Sequence, residues 1–146
     1  MMRAQDLIEK VVAKATCDDC IVIVKDKTQA NLRWANSTLT TNGVIQERSI
    51  TVIAFVATDG GMAMGALTRT NLDENEIDKI LSEAIVLAKA SGPAADYSPL
   101  ARDVVMGDWS AEHQPTGPEI FKSFAPDLGD MLSRSVKDSI ELFGYA

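Results

Sequence analysis

The stretch that decides the fold runs from Ile50 to Thr70 and reads "ITVIAFVATDGGMAMGALTRT". Its first half is apolar and rich in β-branched residues, its second half is again strand-like, and Asp59-Gly60 lies between them. Asp-Gly is a strong hairpin signal, because a type I′ turn needs positive φ at both central residues. The stretch therefore predicts a hairpin in which Val52–Thr58 pairs with Met62–Thr68 and residues 59–61 form the turn.

The three glycines of this stretch, at positions 60, 61 and 65, also have the density of a phosphate-binding loop. Such a loop places its glycines between a strand and the N-terminus of a helix, where backbone N–H groups converge on the anion. Here the next helix signal begins only at Asp73, and no Lys-Ser or Lys-Thr pair directly follows the glycines. We therefore interpret the glycines as a turn.

The segment after the hairpin carries signals for both ends of a helix. Asp73 is a good N-cap, and Glu76 stands three residues later, as in a capping box. Leu72 and Ile77 match the two positions of a hydrophobic staple. Ser91-Gly92-Pro93 supplies a glycine end and a proline stop. The predicted helix has one apolar stripe, formed by Ile77, Ile80, Leu81, Ala84, Ile85 and Ala88.

Upstream of the hairpin, the pattern predicts one helix and further strands. Apolar residues recur at helical spacing over Arg3–Ala15, which predicts a helix of about three turns. The β-branched run Cys20–Asp26 predicts a buried strand, and a shorter strand is expected at Leu32–Asn36. Asn42-Gly43 is a turn signal, and a long strand pattern then covers Val44–Thr58.

Downstream of the second helix, residues 93–118 hold four of the five prolines and the only histidine, which predicts a surface connector. Thr116 with Glu119 three residues later is typical of a helix start. A last helix is predicted from Pro126 to Phe143, ended by Gly144. Its expected apolar face consists of Leu128, Leu132, Val136, Ile140 and Phe143.

Together these elements predict an α+β fold. We expect an antiparallel sheet of about four strands packed by helices on one face, plus a C-terminal helical extension. The two apolar helix stripes need a common surface, and Ile50–Val56 is apolar enough to supply it. The predicted organisation is an α+β domain at residues 1–92, a connector at 93–118, and a helical segment at 119–146 that leads into a second domain.

Composition and charge argue against several classes of function. The 146 residues carry a net charge of −7, which disfavours broad electrostatic binding to nucleic acid or to an anionic membrane. No apolar run reaches the ~18 residues of a membrane span. The first residues lack the apolar core of a secretion signal, and two cysteines are too few for a disulfide scaffold. The expected compartment is the cytoplasm.

Cys17-Asp18-Asp19-Cys20 forms a C-x-x-C motif. A redox motif of this kind has its first cysteine at a helix N-terminus, where the helix dipole lowers the thiol pKa. Here the motif follows a predicted helix and enters a strand. Half of a zinc site is another interpretation, but no second C-x-x-C or histidine pair completes four ligands. We interpret the two cysteines as partly buried and unrelated.

His113 is the single histidine and lies beside Glu112 in the predicted connector. Catalysis by histidine needs partners within hydrogen-bond reach, and the sequence identifies none. The chain also lacks the G-x-S-x-G signature of a serine hydrolase. We interpret His113 as a solvated loop residue.

Three segments resemble, in this order, the N-terminal domain of the TldD/PmbA family, also called modulators of DNA gyrase. They are "RWANSTLTTNG" at 33–43, "ITVIAFVATDGGMAMGALTRT" at 50–70 and "LDENEIDKILSEAIVLAKAS" at 72–91. The "FGYA" at 143–146 is similar to the stretch that leads into the family's second region. Residues in matching places are Arg33, Asn36, Gly60, Gly65, Thr68, Ala84, Ala88 and Lys89.

The resemblance implies cytoplasmic peptidases that act as dimers and bind zinc through a His-Glu-x-x-x-His helix later in the polypeptide. Glu112-His113 does not match that motif, so no catalytic residue and no metal ligand is carried over to this chain. We expect the N-terminal, non-catalytic portion of such a metallopeptidase, inactive alone, with zinc only in the full-length protein. A non-catalytic relative is the other interpretation, and the final helix favours a truncated piece.

The partners that the resemblance implies are a TldD/PmbA-type subunit, in a homo- or heterodimer, and a peptide or unfolded-protein substrate. We expect the Arg33–Leu39 region to lie at a sheet edge that lines the substrate channel or the dimer contact, with Arg33 and Asn36 as polar anchors. A solvated edge without a partner is the plainer interpretation. No direct contact with nucleic acid or membrane is expected. Two alternatives remain: an interaction module that modulates DNA gyrase or a toxin–antitoxin system without peptidase activity, and a small thiol protein.

Overall fold

The computed structural model describes residues 2–102 and 107–146. The fold is α+β, as predicted, with a four-stranded antiparallel sheet of strand order β3-β2-β1-β4. Short 3₁₀ turns precede the second and third helices, at Glu74–Glu76 and Pro118–Phe121. The main elements are α1 (Ala4–Lys14), β1 (Asp19–Ala35), β2 (Thr38–Thr58), β3 (Gly61–Thr70), α2 (Ile77–Ser91), α3 (Ala125–Lys137) and β4 (Gly144–Tyr145).

Within the described residues, the chain divides into two compact units. Among the described residues, unit 1 comprises residues 2–26, 48–102 and 107–112, and unit 2 comprises residues 27–47 and 113–146. The strands β1 and β2 are long enough to contribute residues to both units.

The predicted hairpin of unit 1 is confirmed. The pairing of β2 with β3 runs from Ser49 opposite Thr70 to Thr58 opposite Gly61, with Asp59-Gly60 as the turn. The expected type I′ geometry is wrong, because the positive φ falls on Gly61, at 129°, and neither turn residue has one. Gly61 supplies the left-handed backbone that Asp59 and Gly60 were expected to share.

The core of unit 1 lies between the sheet and two helices. Alternate residues of β2, namely Ile50, Val52 and Ala54, are buried against α1 and α2. The predicted helix stripe is confirmed, since all of its members are buried or packed against this core. The capping box of Asp73 with Glu76 is present, in a 3₁₀ turn that leads directly into α2. The first helix also forms where the pattern predicts it.

Gly65 brings β3 unusually close to the backbone of α2. A Cβ atom at this position would lie 2.3 Å from the Ala84 carbonyl oxygen and 2.3 Å from the Ala88 amide nitrogen. Both alanines are fully buried. The strand and the helix can approach this closely because all three positions carry the smallest side chains.

The strand boundaries before the hairpin differ from the prediction. The segments Cys20–Asp26 and Leu32–Asn36 belong largely to one strand, β1, because exposed and half-buried residues alternate through the polar stretch between them. The predicted burial of Cys20–Asp26 is wrong, since its residues are half-buried or exposed and Ile23 is 51% exposed. The predicted turn at Asn42-Gly43 is wrong, since both residues lie within β2. The chain turns instead at Asn36-Ser37, where φ is 50° and 56°. Positive φ at both central residues is the type I′ requirement, met here without glycine.

In unit 2 the last helix is shorter than predicted. Pro126 lies in its first turn, and α3 ends at Lys137 instead of continuing to Phe143. The end is a Schellman motif: Ser139 has φ 56°, and the Ile140 N–H donates to the Ser135 carbonyl at 2.8 Å. The left-handed residue directs the chain out of the helix and toward β4.

Two details of the predicted helical segment are also wrong. Thr116 is not a helix cap, because its N–H donates to the Thr28 hydroxyl at 2.8 Å and Gly117 precedes the 3₁₀ turn. The buried face of α3 also differs from the predicted one, since Leu128 and Ser135 are buried whereas Val136 is 64% exposed. The hydroxyl of Ser135 has buried hydrogen-bond partners that apolar periodicity cannot detect.

The predicted connector has little regular structure. Residues 93–102 and 107–117 form no helix and no strand apart from an isolated bridge between Ala63 and Pro93. Residues 103–106 of the predicted connector lie outside the described residues. Among the helices that the structure describes, none has the length and hydropathy needed to cross a bilayer.

Candidate functional site

The candidate site of unit 2 is built around the turn Asn36-Ser37. The Ser37 hydroxyl is buried, donates to the Ile140 carbonyl at 2.9 Å, and accepts from the Leu142 N–H at 3.1 Å. It also accepts from the Ser135 hydroxyl at 2.7 Å, and the Ser37 N–H donates to the Leu142 carbonyl at 3.0 Å. These bonds fasten the segment after α3 to the turn, and so they direct the following residues onto the edge of β1.

The last residues of the chain form β4 on that edge. Arg33 lies opposite Tyr145 and Trp34 lies opposite Gly144. Leu32 and Ala146 exchange two main-chain hydrogen bonds, of 2.9 and 3.0 Å. The edge that sequence reasoning expects to be exposed is therefore occupied at Arg33 and Trp34 by an extended segment of the same chain.

A groove of about 310 Å³ opens beside this strand pair. Arg33 is exposed at its side, and its guanidinium has no ion-pair partner in the part of the chain that the structure describes. The Arg33 carbonyl accepts from the Thr40 hydroxyl at 3.1 Å, which links β1 to β2 at the groove. The groove combines a free cation with aromatic and hydroxyl groups, and is lined by Arg33, Trp34, Ala35, Thr40, Thr41, Phe143, Gly144 and Tyr145.

Asn36, the second predicted anchor, does not line the groove. It is exposed in the turn, and its carbonyl accepts from the Thr38 hydroxyl at 3.3 Å. Asparagine tolerates the left-handed backbone better than other residues with a Cβ. The backbone conformation of the turn thus accounts for asparagine at position 36 without a ligand.

Gly144 and Trp34 are in close contact. A Cβ atom at position 144 would lie 2.4 Å from Cζ2 of the Trp34 indole. The Trp34 ring also packs against Phe124, with 6.4 Å between the two ring centroids. Ser37 was expected only as a member of the Arg33–Leu39 region, and Gly144 was not expected at this site. The only available signal was a small residue between two aromatic ones in "FGY", which is too short to be specific.

The C-x-x-C motif lies in unit 1, where both thiols are free and half-buried. Burial raises the pKa of the Cys20 thiol, and the nearby Cys17 and Asp19 raise that pKa further. Asp18 fixes the loop between the two cysteines, because its carboxylate accepts a hydrogen bond from the Ala57 N–H at 2.7 Å. A raised pKa keeps Cys20 protonated, which is the opposite of what a nucleophilic thiol requires.

His113 is exposed, and so is the neighbouring Glu112. Across residues 2–102 and 107–146, no group of three or more His, Cys, Asp or Glu side chains is arranged to hold a metal ion. No protein-family model and no curated protein matches the sequence of this chain.

Proposed function

We propose that this chain is the N-terminal, non-catalytic portion of a TldD/PmbA-type zinc metallopeptidase that degrades or matures peptides and proteins. The Arg33–Leu39 region would line the substrate channel or the dimer contact of the complete protein. The observation that carries the proposal is the edge of β1, which binds an extended segment through its main chain beside a groove containing Arg33.

Main-chain recognition suits a peptidase that acts on unfolded substrates. An extended peptide added to a sheet edge bonds through N–H and C=O groups that every sequence provides. Arg33 can add charge attraction to a carboxylate of the peptide, because a guanidinium binds carboxylates with two parallel hydrogen bonds. The site would therefore hold many sequences with modest selectivity.

The residues that carry the family resemblance also support the proposal. Gly65, Ala84 and Ala88 are dispersed in the sequence, yet they meet at the closest contact between β3 and α2. A fold that needs this contact keeps small residues at all three positions. The close contact thus explains the small residues at these three positions, and a related domain would share that requirement.

The zinc that the family implies does not fit the residues of this chain. Its histidine and cysteine donors are one exposed imidazole and two half-buried thiols, of which Cys20 has a raised pKa. An open catalytic zinc site needs three protein ligands and a free position. We therefore derive no catalytic step here and assign zinc and the general base to the rest of the complete protein. The family also implies the cytoplasm, where free cysteines are usual.

The proposal is tested in the complete protein by zinc analysis and by peptide cleavage. We expect stoichiometric zinc, and we expect Arg33→Ala to raise KM for a peptide substrate or to weaken dimerisation. Lys122→Ala is the matched control, because it removes an exposed cation of the same unit that does not line the groove. A complete protein that lacks both zinc and peptidase activity but binds DNA gyrase would contradict the proposal and favour an interaction module.

A further inference from the structure

β4 is held in place mainly by its main chain. Its main-chain pairing with β1 consists of two register pairs, and the next residue, Ala146, adds two hydrogen bonds with Leu32. These N–H and C=O groups are not specific to this segment. Any other extended peptide can offer the same groups to the edge of β1.

The side chains of this segment contribute little burial. Phe143 is 63% exposed and Tyr145 is 83% exposed. Segments with few buried apolar contacts open locally at a small fraction of the free energy of global unfolding. Leu142 remains fixed by its two hydrogen bonds to Ser37, so opening need extend no further than Phe143.

One position of the segment is selective. A Cβ atom on Gly144 would lie 2.4 and 2.6 Å from Cζ2 and Cε2 of the Trp34 indole, and the indole is packed against Phe124. Tyr145 is 83% exposed at the open groove, so the position opposite Arg33 sets little limit on the size of a side chain. The edge therefore prefers glycine opposite Trp34 and discriminates little at the next residue.

We propose that the β1 edge at Leu32–Trp34 is an acceptor site for extended peptides with glycine opposite Trp34, and that β4 is its replaceable internal occupant. In the intact chain β4 competes with an external peptide and weakens its binding. The biological origin of that peptide, a substrate or a segment of a partner subunit, rests on the proposed function. The binding itself is a property of this chain.

The test uses the full chain carrying Gly144→Val, which displaces β4, and Gly43→Val as the matched control. Gly43 also lies in a strand, but a Cβ there meets nothing within 4 Å. Hydrogen exchange of the Leu32 amide reports occupancy of the edge. We expect exchange at least tenfold faster in Gly144→Val and unchanged exchange in Gly43→Val.

The probe is the blocked peptide acetyl-Leu-Phe-Gly-Tyr-Ala-amide. It should restore Leu32 protection in Gly144→Val, and the same peptide with alanine in place of glycine should bind at least tenfold more weakly. In a Trp109→Phe background, Trp34 is the only tryptophan, and its fluorescence follows the titration. Equal binding of the two peptides, or no binding of either, would overturn the proposal.

A second measurement applies if Gly144→Val fails to fold. In the unaltered chain the Leu32 amide should exchange by local opening, well before the hydrogen-bonded amides of the β2–β3 hairpin. Leu32 exchange that occurs only with global unfolding would refute the replaceable strand. Neither result bears on zinc content or peptide cleavage by the complete protein, so failure of this proposal and failure of the proposed function are distinguishable.

Discussion

Gly65→Ala tests the closest helix–strand contact of the fold. The added methyl group would lie 2.3 Å from two backbone atoms of α2, on Ala84 and Ala88. Ordinary carbon contacts lie at about 3.5–4.0 Å, so helix and strand must separate by about 1 Å. Overpacking a well-packed core costs about 1–3 kcal/mol, and we expect the upper end because the backbone itself must move.

The assay is reversible unfolding followed by far-UV circular dichroism, by denaturant and by heat. A loss of about 3 kcal/mol corresponds to a fall in Tm of about 6–12 °C for a chain of this size. Gly43→Ala is the control, because a Cβ there meets nothing within 4 Å and the residue has no positive φ. It should be neutral or stabilise by about 0.4–1 kcal/mol. A Gly65→Ala protein as stable as the unaltered chain would refute the close contact.

Three further outcomes follow from the hydrogen bonds and charges. Ser37→Ala removes the buried hydroxyl that bonds to Ile140 and Leu142, and should cost about 1–3 kcal/mol in denaturant unfolding; an unchanged midpoint would contradict the role of the hydroxyl. Hydrogen bonds from the Ser110 hydroxyl and N–H lower the pKa of Asp108. The contribution of these bonds to the stability of the fold is therefore present above the ordinary aspartate pKa and is lost as pH falls through the lowered value. Ser110→Ala should move that pKa, measured by NMR, back toward normal, and no movement would argue against the hydroxyl as its main cause. Burial raises the pKa of the Cys20 thiol, so the free energy of unfolding should fall as pH rises from the ordinary thiol pKa through the raised value. Asp19→Asn should speed alkylation of Cys20 only slightly, whereas a large acceleration would make charge, not burial, the main cause.

Local signals were sufficient to predict the elements of unit 1. The Asp59-Gly60 turn, the capping box at Asp73 and the stripe of α2 all act within a few residues, and tertiary packing agrees with them. The boundary errors occurred where a local signal conflicted with a longer pattern. Asn42-Gly43 is a good turn in isolation, but β1 continues through the polar stretch to Ala35, and the chain turns at Asn36-Ser37.

The candidate site was only partly predictable. Arg33 could be identified as an exposed cation near a sheet edge, but the occupant of that edge lies more than a hundred residues later in the chain. The early end of α3 at Ser139 and the buried Ser37 hydroxyl depend on tertiary contacts that hydrophobic periodicity does not encode. The buried hydroxyl of Ser37, the end of α3 and the close contact of Gly144 with Trp34 all depend on residues far apart in the chain, so local patterns could not predict them.

Under the proposed function, the groove beside Arg33 contacts a peptide substrate or a second subunit in the complete protein. The most direct measurement places a photo-crosslinking amino acid at position 33 and, as a control, at position 122, and identifies the captured species by mass spectrometry. We predict capture of substrate peptide or of a partner subunit from position 33 only, reduced by excess unlabelled peptide or by mutations that prevent dimerisation. Equal capture from both positions, or none from position 33 while the complete protein cleaves peptide, would contradict the claim.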